Sequence, residues 1–204
     1  MHHQESGEEM DIFLNGKGEL AAALRNNGVL ADEHILSRDV SSQMMNCLCE
    51  APRCLLVHNT YTTKGDLTKY QSHSGRFYFV LCPGSNLFIQ NRLPDLLLFL
   101  SPELSQNICL GTDSLASNTK LSLLEEIKII QRHAPDIPLG ILLQWATLNG
   151  ARALGVEHLY GSFEKGKTPG VNLITGIDFD RMLLTDEGKV KVLVYCPNSP
   201  RLFR

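Results

Sequence analysis

The chain has no surplus of basic charge: across 204 residues, 19 Lys and Arg face 22 Asp and Glu, a formal net charge of −3. Such a surface offers no cationic stripe to a phosphate backbone, so nucleic acid is excluded as the expected partner. Long apolar runs are missing too. Stretches such as residues 96–100 fall far short of the roughly 20 residues that span a bilayer, and no charged-then-apolar leader opens the chain, so no membrane association is expected. The six cysteines (Cys47, Cys49, Cys54, Cys82, Cys109 and Cys196) include no Cys-x-x-Cys pair. That argues against a zinc knuckle and for reduced, mostly buried thiols in a cytoplasmic protein. No internal repeat or low-complexity segment occurs, which excludes a repeat architecture.

Apolar residues make up 43% of the chain and charged residues 20%, ordinary for one globular core with a small appendage. Three runs are continuously apolar instead of alternating, as parallel strands buried on both faces are: residues 54–57, 77–81 and 108–110. Helical patterns separate them. Residues 19–26 follow Gly18 and stop near Gly28, residues 41–49 open on a Ser suited to cap them, and the segment after Pro94 is apolar enough to cover a sheet. Apolar residues at 123, 124, 127 and 130 predict a helix over 121–133, with Ser122 and Glu125 as a capping box. Strand then helix, repeated, predicts an α/β fold with a parallel sheet. One long helix is predicted over 138–154, closing at Gly155. Beyond it, glycines punctuate short extended pieces, and Asp186-Glu187-Gly188-Lys189 reads as a hairpin turn. These last strands are too few to be stable alone.

The run Asn107-Ile108-Cys109-Leu110-Gly111-Thr112-Asp113-Ser114 carries the strongest chemical signal. A short apolar strand ends in a lone carboxylate, which needs a partner to offset its desolvation. A metal ion would suffice; capping the next helix is the plainer alternative. In a β/α barrel that strand end lies on the face where chemistry is done. His58 closes the run 54–57 and precedes Asn59-Thr60-Tyr61. Its imidazole suits a metal or a developing oxyanion, or else is a core histidine satisfied by backbone. His2 and Glu5, three apart, let an imidazole hold a metal while a carboxylate reaches substrate; a solvated chain start has the same letters. Glu8 and Glu9 read as a first helical turn. Cys82-Pro83-Gly84-Ser85-Asn86 reads as a tight turn in which Ser85 and Asn86 could face a ligand. His34, His73, His133 and His158 read as surface residues and Trp145 as helix core. Lys165 and Lys167 lie in a Gly-rich turn that is not read as a phosphate loop.

Together these segments resemble the amidohydrolase superfamily, in the branch of the cytosine, guanine and adenosine-type deaminases and the triazine chlorohydrolases. His2-His3-Gln4-Glu5-Ser6 is similar to that family's fifth-strand His-x-x-Glu-Thr segment, and Val57-His58-Asn59 to its sixth-strand histidine. Cys82-Pro83-Gly84-Ser85-Asn86-Leu87 resembles the Cys-Pro-x-Ser-Asn segment after strand seven, and Leu110-Gly111-Thr112-Asp113 the eighth-strand Gly-Thr-Asp signature. Ala146-Thr147-Leu148-Asn149-Gly150-Ala151-Arg152-Ala153-Leu154-Gly155 is close to the helix after the barrel. Gly161-Ser162-Phe163-Glu164-Lys165-Gly166-Lys167 is similar to the turn into a terminal β domain.

The resemblance implies a partial (β/α)8 TIM barrel, about strands five to eight, over residues 1–158, and part of a small β domain over 159–204. It implies a metal-dependent hydrolase, a deaminase of an aminated purine- or pyrimidine-like heterocycle, with zinc or iron(II) as the metal. His2 and Asp113 would bind the metal, Asp113 also accepting the water's proton. Glu5 would carry a proton to the ring nitrogen or leaving group, and His58 would hydrogen-bond the attacking water and the oxyanion. Ser85, Asn86 and Ser117 would line the substrate pocket.

Two departures bear on that implication. No His-x-His pair occurs, although the family draws one from its first strand. A complete barrel takes about 250 residues, more than the chain holds. The expectation is a chain cut to its carboxyl-terminal half, with an incompletely coordinated metal and no activity alone. It would either self-associate or pair with an amino-terminal half of the barrel. A non-catalytic half barrel acting through association and a chlorohydrolase-type enzyme are the competing expectations.

Overall fold

The computed structural model describes residues 1–29, 42, 48, 51–71 and 75–195. Two compact units emerge, one of Met1–Val80 with Asn86–Ser105, the other of Leu81–Ser85 with Gln106–Arg204. Both are α/β. No helix among the described residues is long and apolar enough to cross a membrane.

In the first unit the strands run parallel. β1 (His2–His3) lies along β2 (Cys54–His58), with His2 opposite Val57 and His3 opposite His58. β2 pairs in turn with β3 (Phe77–Leu81), Cys54 opposite Phe77 and Val57 opposite Val80. Leu56 and Phe79 are wholly buried, each stabilising by roughly 1.5–3 kcal/mol relative to exposure. Helix α1 (Gly7–Asn15) starts where the Ser6 hydroxyl accepts from the Glu9 amide at 3.0 Å, with Glu8 and Glu9 in its first turn as expected. Helix α2 spans Glu19–Asn26, and α3 (Lys64–Gln71) buries Leu67 and Tyr70. The segment around Ser85 and Asn86 is not a tight turn but helix α4 (Pro83–Gln90). Proline is suited to a first helical position because no intrahelical bond needs its missing N–H. After Pro94 a 3-10 turn, Leu96–Leu100, buries Leu96 and Phe99. The helix expected over 41–49 lies outside the described residues apart from Ser42 and Leu48, both helical.

In the second unit β4 (Ile108–Leu110) is buried throughout, and the Gly111 amide donates to Leu81 O at 2.9 Å. Helix α5 (Leu123–His133) opens at Ser122, whose side chain accepts from the Glu125 amide, two residues later than its apolar pattern suggests. The long helix expected over 138–154 is two, α6 (Leu139–Ala146) and α7 (Leu148–Leu154), because Thr147 leaves helical geometry (φ −132°, ψ −85°). Trp145 is core, as expected. Strands β5 (Val171–Asp178) and β6 (Leu183–Val194) form an antiparallel hairpin. Its turn is residues 179–182, not Asp186–Lys189, because the Asp178 carboxylate accepts from the Asp180 and Arg181 amides, both at 3.1 Å. Gly188 serves a bulge instead: a Cβ on Gly176 would stand 2.6 Å from Gly188 Cα. Lys128 of α5, itself buried, fastens that bulge by donating to Asp186 O at 2.9 Å and Gly188 O at 2.8 Å.

Cys54, Cys82 and Cys109 are buried and form no disulfide, and burial pushes the Cys109 thiol up to about 12. Cys47, Cys49, Cys196, His34 and His73 lie outside the described residues, while His133 and His158 are exposed.

Candidate active site

Strand ends in this chain twist into left-handed backbone without glycine. Gln4 (φ 48°) follows β1, His58 (φ 81°) and Asn59 (φ 57°) close β2, and Asp113 (φ 57°) lies just past β4. Each such residue costs on the order of 1–3 kcal/mol, and outliers of this kind gather at functional sites.

In the first unit three side chains converge. His2 Nδ1 stands 2.8 Å from Glu5 Oε2, and His58 Nε2 stands 3.4 Å from Glu5 Oε1. The two imidazoles meet edge to face, centroids 4.6 Å apart. One ligand atom from each residue falls within 4.8 Å of the others, the one such group among the described residues. Glu5 is aimed by its backbone: its amide donates to Glu9 Oε2 at 2.7 Å, and the Gln4 amide donates to Glu9 Oε1 at 3.1 Å.

Asn86 decides which nitrogen of His58 carries hydrogen. Its amide nitrogen donates to His58 O at 3.2 Å, which identifies Oδ1 as the acceptor facing the ring. His58 Nδ1, 3.0 Å away, must therefore be the donor. Nε2 is left as a buried lone pair, outside the geometry of any hydrogen bond, facing a carboxylate oxygen. Two acceptors oppose each other there, and a cation or a water hydrogen between them relieves the repulsion. The donor set of two imidazoles and a carboxylate fits a divalent metal.

His3 faces the other way, into the core. Its Nδ1 lies 3.0 Å from Asn59 Oδ1 and its Nε2 2.9 Å from Tyr70 Oη. Burial pushes its pKa down to about 4, against the opposing pull of the Asn59 hydrogen bond. Neither His3 nor Asn59 stands out in the sequence. The available signals were strand alternation, which sends adjacent side chains to opposite faces, and the tolerance of Asn for left-handed backbone.

Asp113 belongs to the second unit. Its Oδ2 accepts from Ser117 Oγ at 2.5 Å and lies 2.9 Å from Ser85 Oγ, both serines being buried. Asp113 does not cap α5; Ser122 does. Behind this trio, Glu126 is wholly enclosed and accepts from the Gly84 amide and from Asn118 Nδ2, both at 2.7 Å. Burial raises the Glu126 pKa, and those two donors oppose the rise. Asn118 also donates to Thr112 O at 2.7 Å, so one carboxylate ties the start of α4 to the loop carrying Asp113. Nothing in the pattern of α5 separates Glu126 from the capping Glu125 beside it.

The run Gly161-Ser162-Phe163-Glu164-Lys165-Gly166-Lys167-Thr168 does spell a phosphate-loop consensus, contrary to the reading of the turn from sequence. Its setting is wrong for that role. It leads from α7 into strand β5 instead of from strand to helix, and Lys167 Nζ is held by Glu164 and Ser162, both at 2.7 Å.

The sequence profile of the amidohydrolase family matches residues 29–194. The chain is similar to the 5-methylthioadenosine/S-adenosylhomocysteine deaminase of Saccharophagus degradans, 35% identical over 126 residues, 57% of this chain and 27% of that protein. It is similar to the adenosine deaminase of Helicobacter pylori, 25% identical over 205 aligned positions, 99% of this chain and 48% of that protein. The crystal structure of H. pylori aminofutalosine deaminase with methylthio-coformycin superposes with a TM-score of 0.66 at 26% identity, over 81% of this chain and 40% of that one. The chain thus spans about half the length, or less, of the relatives it matches. With well over half of its residues matched by the profile, the chain belongs to the amidohydrolase family.

Proposed function

We propose that the chain carries part of the active site of a metal-dependent hydrolytic deaminase acting on an aminated, adenosine-type heterocycle. The observation that carries this reading is the convergence of His2, Glu5 and His58 within 4.8 Å. The substrate class follows the relatives, whose names are those of adenosine, 5-methylthioadenosine and S-adenosylhomocysteine deaminases. In this reading β1 to β4 stand for the fifth to eighth strands of a (β/α)8 barrel within residues 1–158, and 159–204 for part of a small β domain. The protein would work in the cytoplasm.

Each residue has a proposed task. His2 and Asp113 hold zinc or iron(II), which when bound lowers the pKa of water far enough to supply hydroxide near neutral pH. His58, with its hydrogen kept on Nδ1, offers Nε2 to the attacking water. Asp113 takes the water's proton, and Glu5 delivers a proton to the ring nitrogen or to the departing ammonia. Ser85, Asn86 and Ser117 shape the pocket; Ser85 and Ser117 do so through the Asp113 carboxylate that they contact.

The test is zinc calorimetry of the 204-residue chain together with ammonia release from a panel of aminated heterocycles. Two protein ligands fall short of the usual three or four, so weak zinc binding is expected, lost in His2→Ala and in Asp113→Asn, with no ammonia released by the chain alone. Tight stoichiometric zinc, or zinc binding indifferent to His2→Ala, would overturn the reading. Chloride release from a chlorinated triazine would move it to the chlorohydrolases.

A second reading, action through association, is favoured by one observation. Val190, Val192 and Val194, alternate residues on one face of β6, are all more than 40% exposed, an apolar surface that a second copy could cover. Light scattering at high concentration decides it: a clean monomer would sink this reading.

A further inference from the structure

Beyond the three converging side chains, the first unit holds a buried polar chain that none of the proposed steps uses. Asn59 Nδ2 donates to Leu56 O at 2.8 Å, so its Oδ1 is the acceptor facing His3. His3 Nδ1 is then the donor, its Nε2 the acceptor, and the Tyr70 hydroxyl donates into it at 2.9 Å. All three residues are at most 1% exposed, and each hydrogen bond has one consistent direction. The backbone repeats the pairing, with the Asn59 amide donating to His3 O at 3.0 Å. Asn59 is fixed through both its side chain and its peptide group, immediately after His58, and both residues hold left-handed backbone.

We propose that Tyr70, His3 and Asn59 are positioning residues that hold the His58–Asn59 pair in left-handed backbone and so keep His58 Nε2 aimed at Glu5. Asn86 fixes the His58 ring from one side; this network fixes its backbone from the other. None of the three residues belongs to the group formed by His2, Glu5 and His58. Relaxing it lets the His58 peptide return to ordinary backbone, which swings the imidazole away from Glu5 and weakens the cluster. That last consequence rests on the metal-binding reading above; the aim of His58 does not.

The experiment uses the 204-residue chain labelled with 15N-histidine. Imidazole nitrogen NMR spectra and zinc titrations are recorded for the wild type, for Tyr70→Phe, which removes one hydroxyl, and for Asn59→Gly, which keeps the left-handed backbone accessible but removes the amide. In the wild type His58 is expected as a single Nδ1–H tautomer. In both variants that resonance averages or shifts, and the zinc dissociation constant rises about tenfold, the usual scale for disturbing a group that supports a metal site from its outer shell. Folded Tyr70→Phe and Asn59→Gly proteins with wild-type His58 resonances would overturn the proposal, whatever their thermal stability. If Tyr70→Phe fails to fold, Asn59→Gly decides alone by the same criterion. A His58 shift in the variants of a chain that binds no zinc would uphold the positioning role and defeat the metal reading.

Discussion

His58 and Glu5 face each other through two atoms that both carry lone pairs, Nε2 and Oε1, 3.4 Å apart, while Asn86 holds the imidazole hydrogen on the far nitrogen. With a neutral ring the two lone pairs repel, and a positive charge or a hydrogen between them makes the contact attractive.

Asn86→Leu tests that relationship. It removes the partner of His58 Nδ1 and the donor to His58 O, leaving buried groups unsatisfied at a cost of about 1–3 kcal/mol. Urea unfolding should register that loss, and the chain's zinc affinity should fall by about tenfold. An Asn86→Leu protein of wild-type zinc affinity would remove Asn86 from the orientation of His58.

Gly84→Ala should be disruptive although the change is one methyl group. A Cβ there would stand 2.7 and 2.9 Å from the Asn118 amide atoms and 2.9 Å from Glu126 Oε1. Crowding of this kind costs typically about 1–3 kcal/mol. Glu126→Gln should cost a similar amount, because Gly84 N–H and Asn118 Nδ2 need two separate oxygens and a glutamine has one. Thermal unfolding of both variants checks this, and equality with the wild type would contradict it.

The pH dependence of stability should report His3. Its pKa is about 4 when folded against an ordinary 6.5, so the unfolded chain binds the extra proton first. Stability is therefore complete above about pH 6.5, declines as pH falls through the interval toward 4, and levels off below it. The total loss is on the order of 3 kcal/mol. Unfolding free energies of wild type and His3→Gln across that interval should converge as pH drops; parallel curves would count against a neutral buried His3.

Lys128→Met should loosen the hairpin selectively. It deprives Asp186 O and Gly188 O of their donor without shortening the apolar part of the side chain. Amide exchange in β6 around the bulge is expected to quicken while β4 keeps its protection, and uniform exchange rates would argue that Lys128 is not an anchor.

Much of this was legible in the residues alone. Continuous apolar runs identified β2, β3 and β4, and the Ser122–Glu125 pair marked the start of α5. Three features were hidden for physical reasons. The Cys-Pro-Gly-Ser-Asn letters suit a turn as well as a helix start, and tertiary contacts from Glu126 favour the helix. The hairpin turn was misplaced because Gly188 answers a close approach to Gly176, not a change of direction. The helix break at Thr147 leaves no breaker residue to notice. Among the site residues, His2, Glu5, His58 and Asp113 were conspicuous because each is a titratable group near a strand end. Their supports, Asn59, Tyr70 and Glu126, look like ordinary residues until their hydrogen bonds are traced.

The two adjacent histidines are chemically identical, and β1, two residues long, lies along β2 through backbone bonds such as Val57 N–H to Met1 O and Asn59 N–H to His3 O, which any side chain at those positions could form. Sliding it by a single position would bury His2 and carry His3 out to water, exchanging the outward imidazole for the inward one. Tyr70 and Asn59 admit only one of those alignments. The inward histidine is thus the ratchet tooth that makes the outward one arrive beside Glu5.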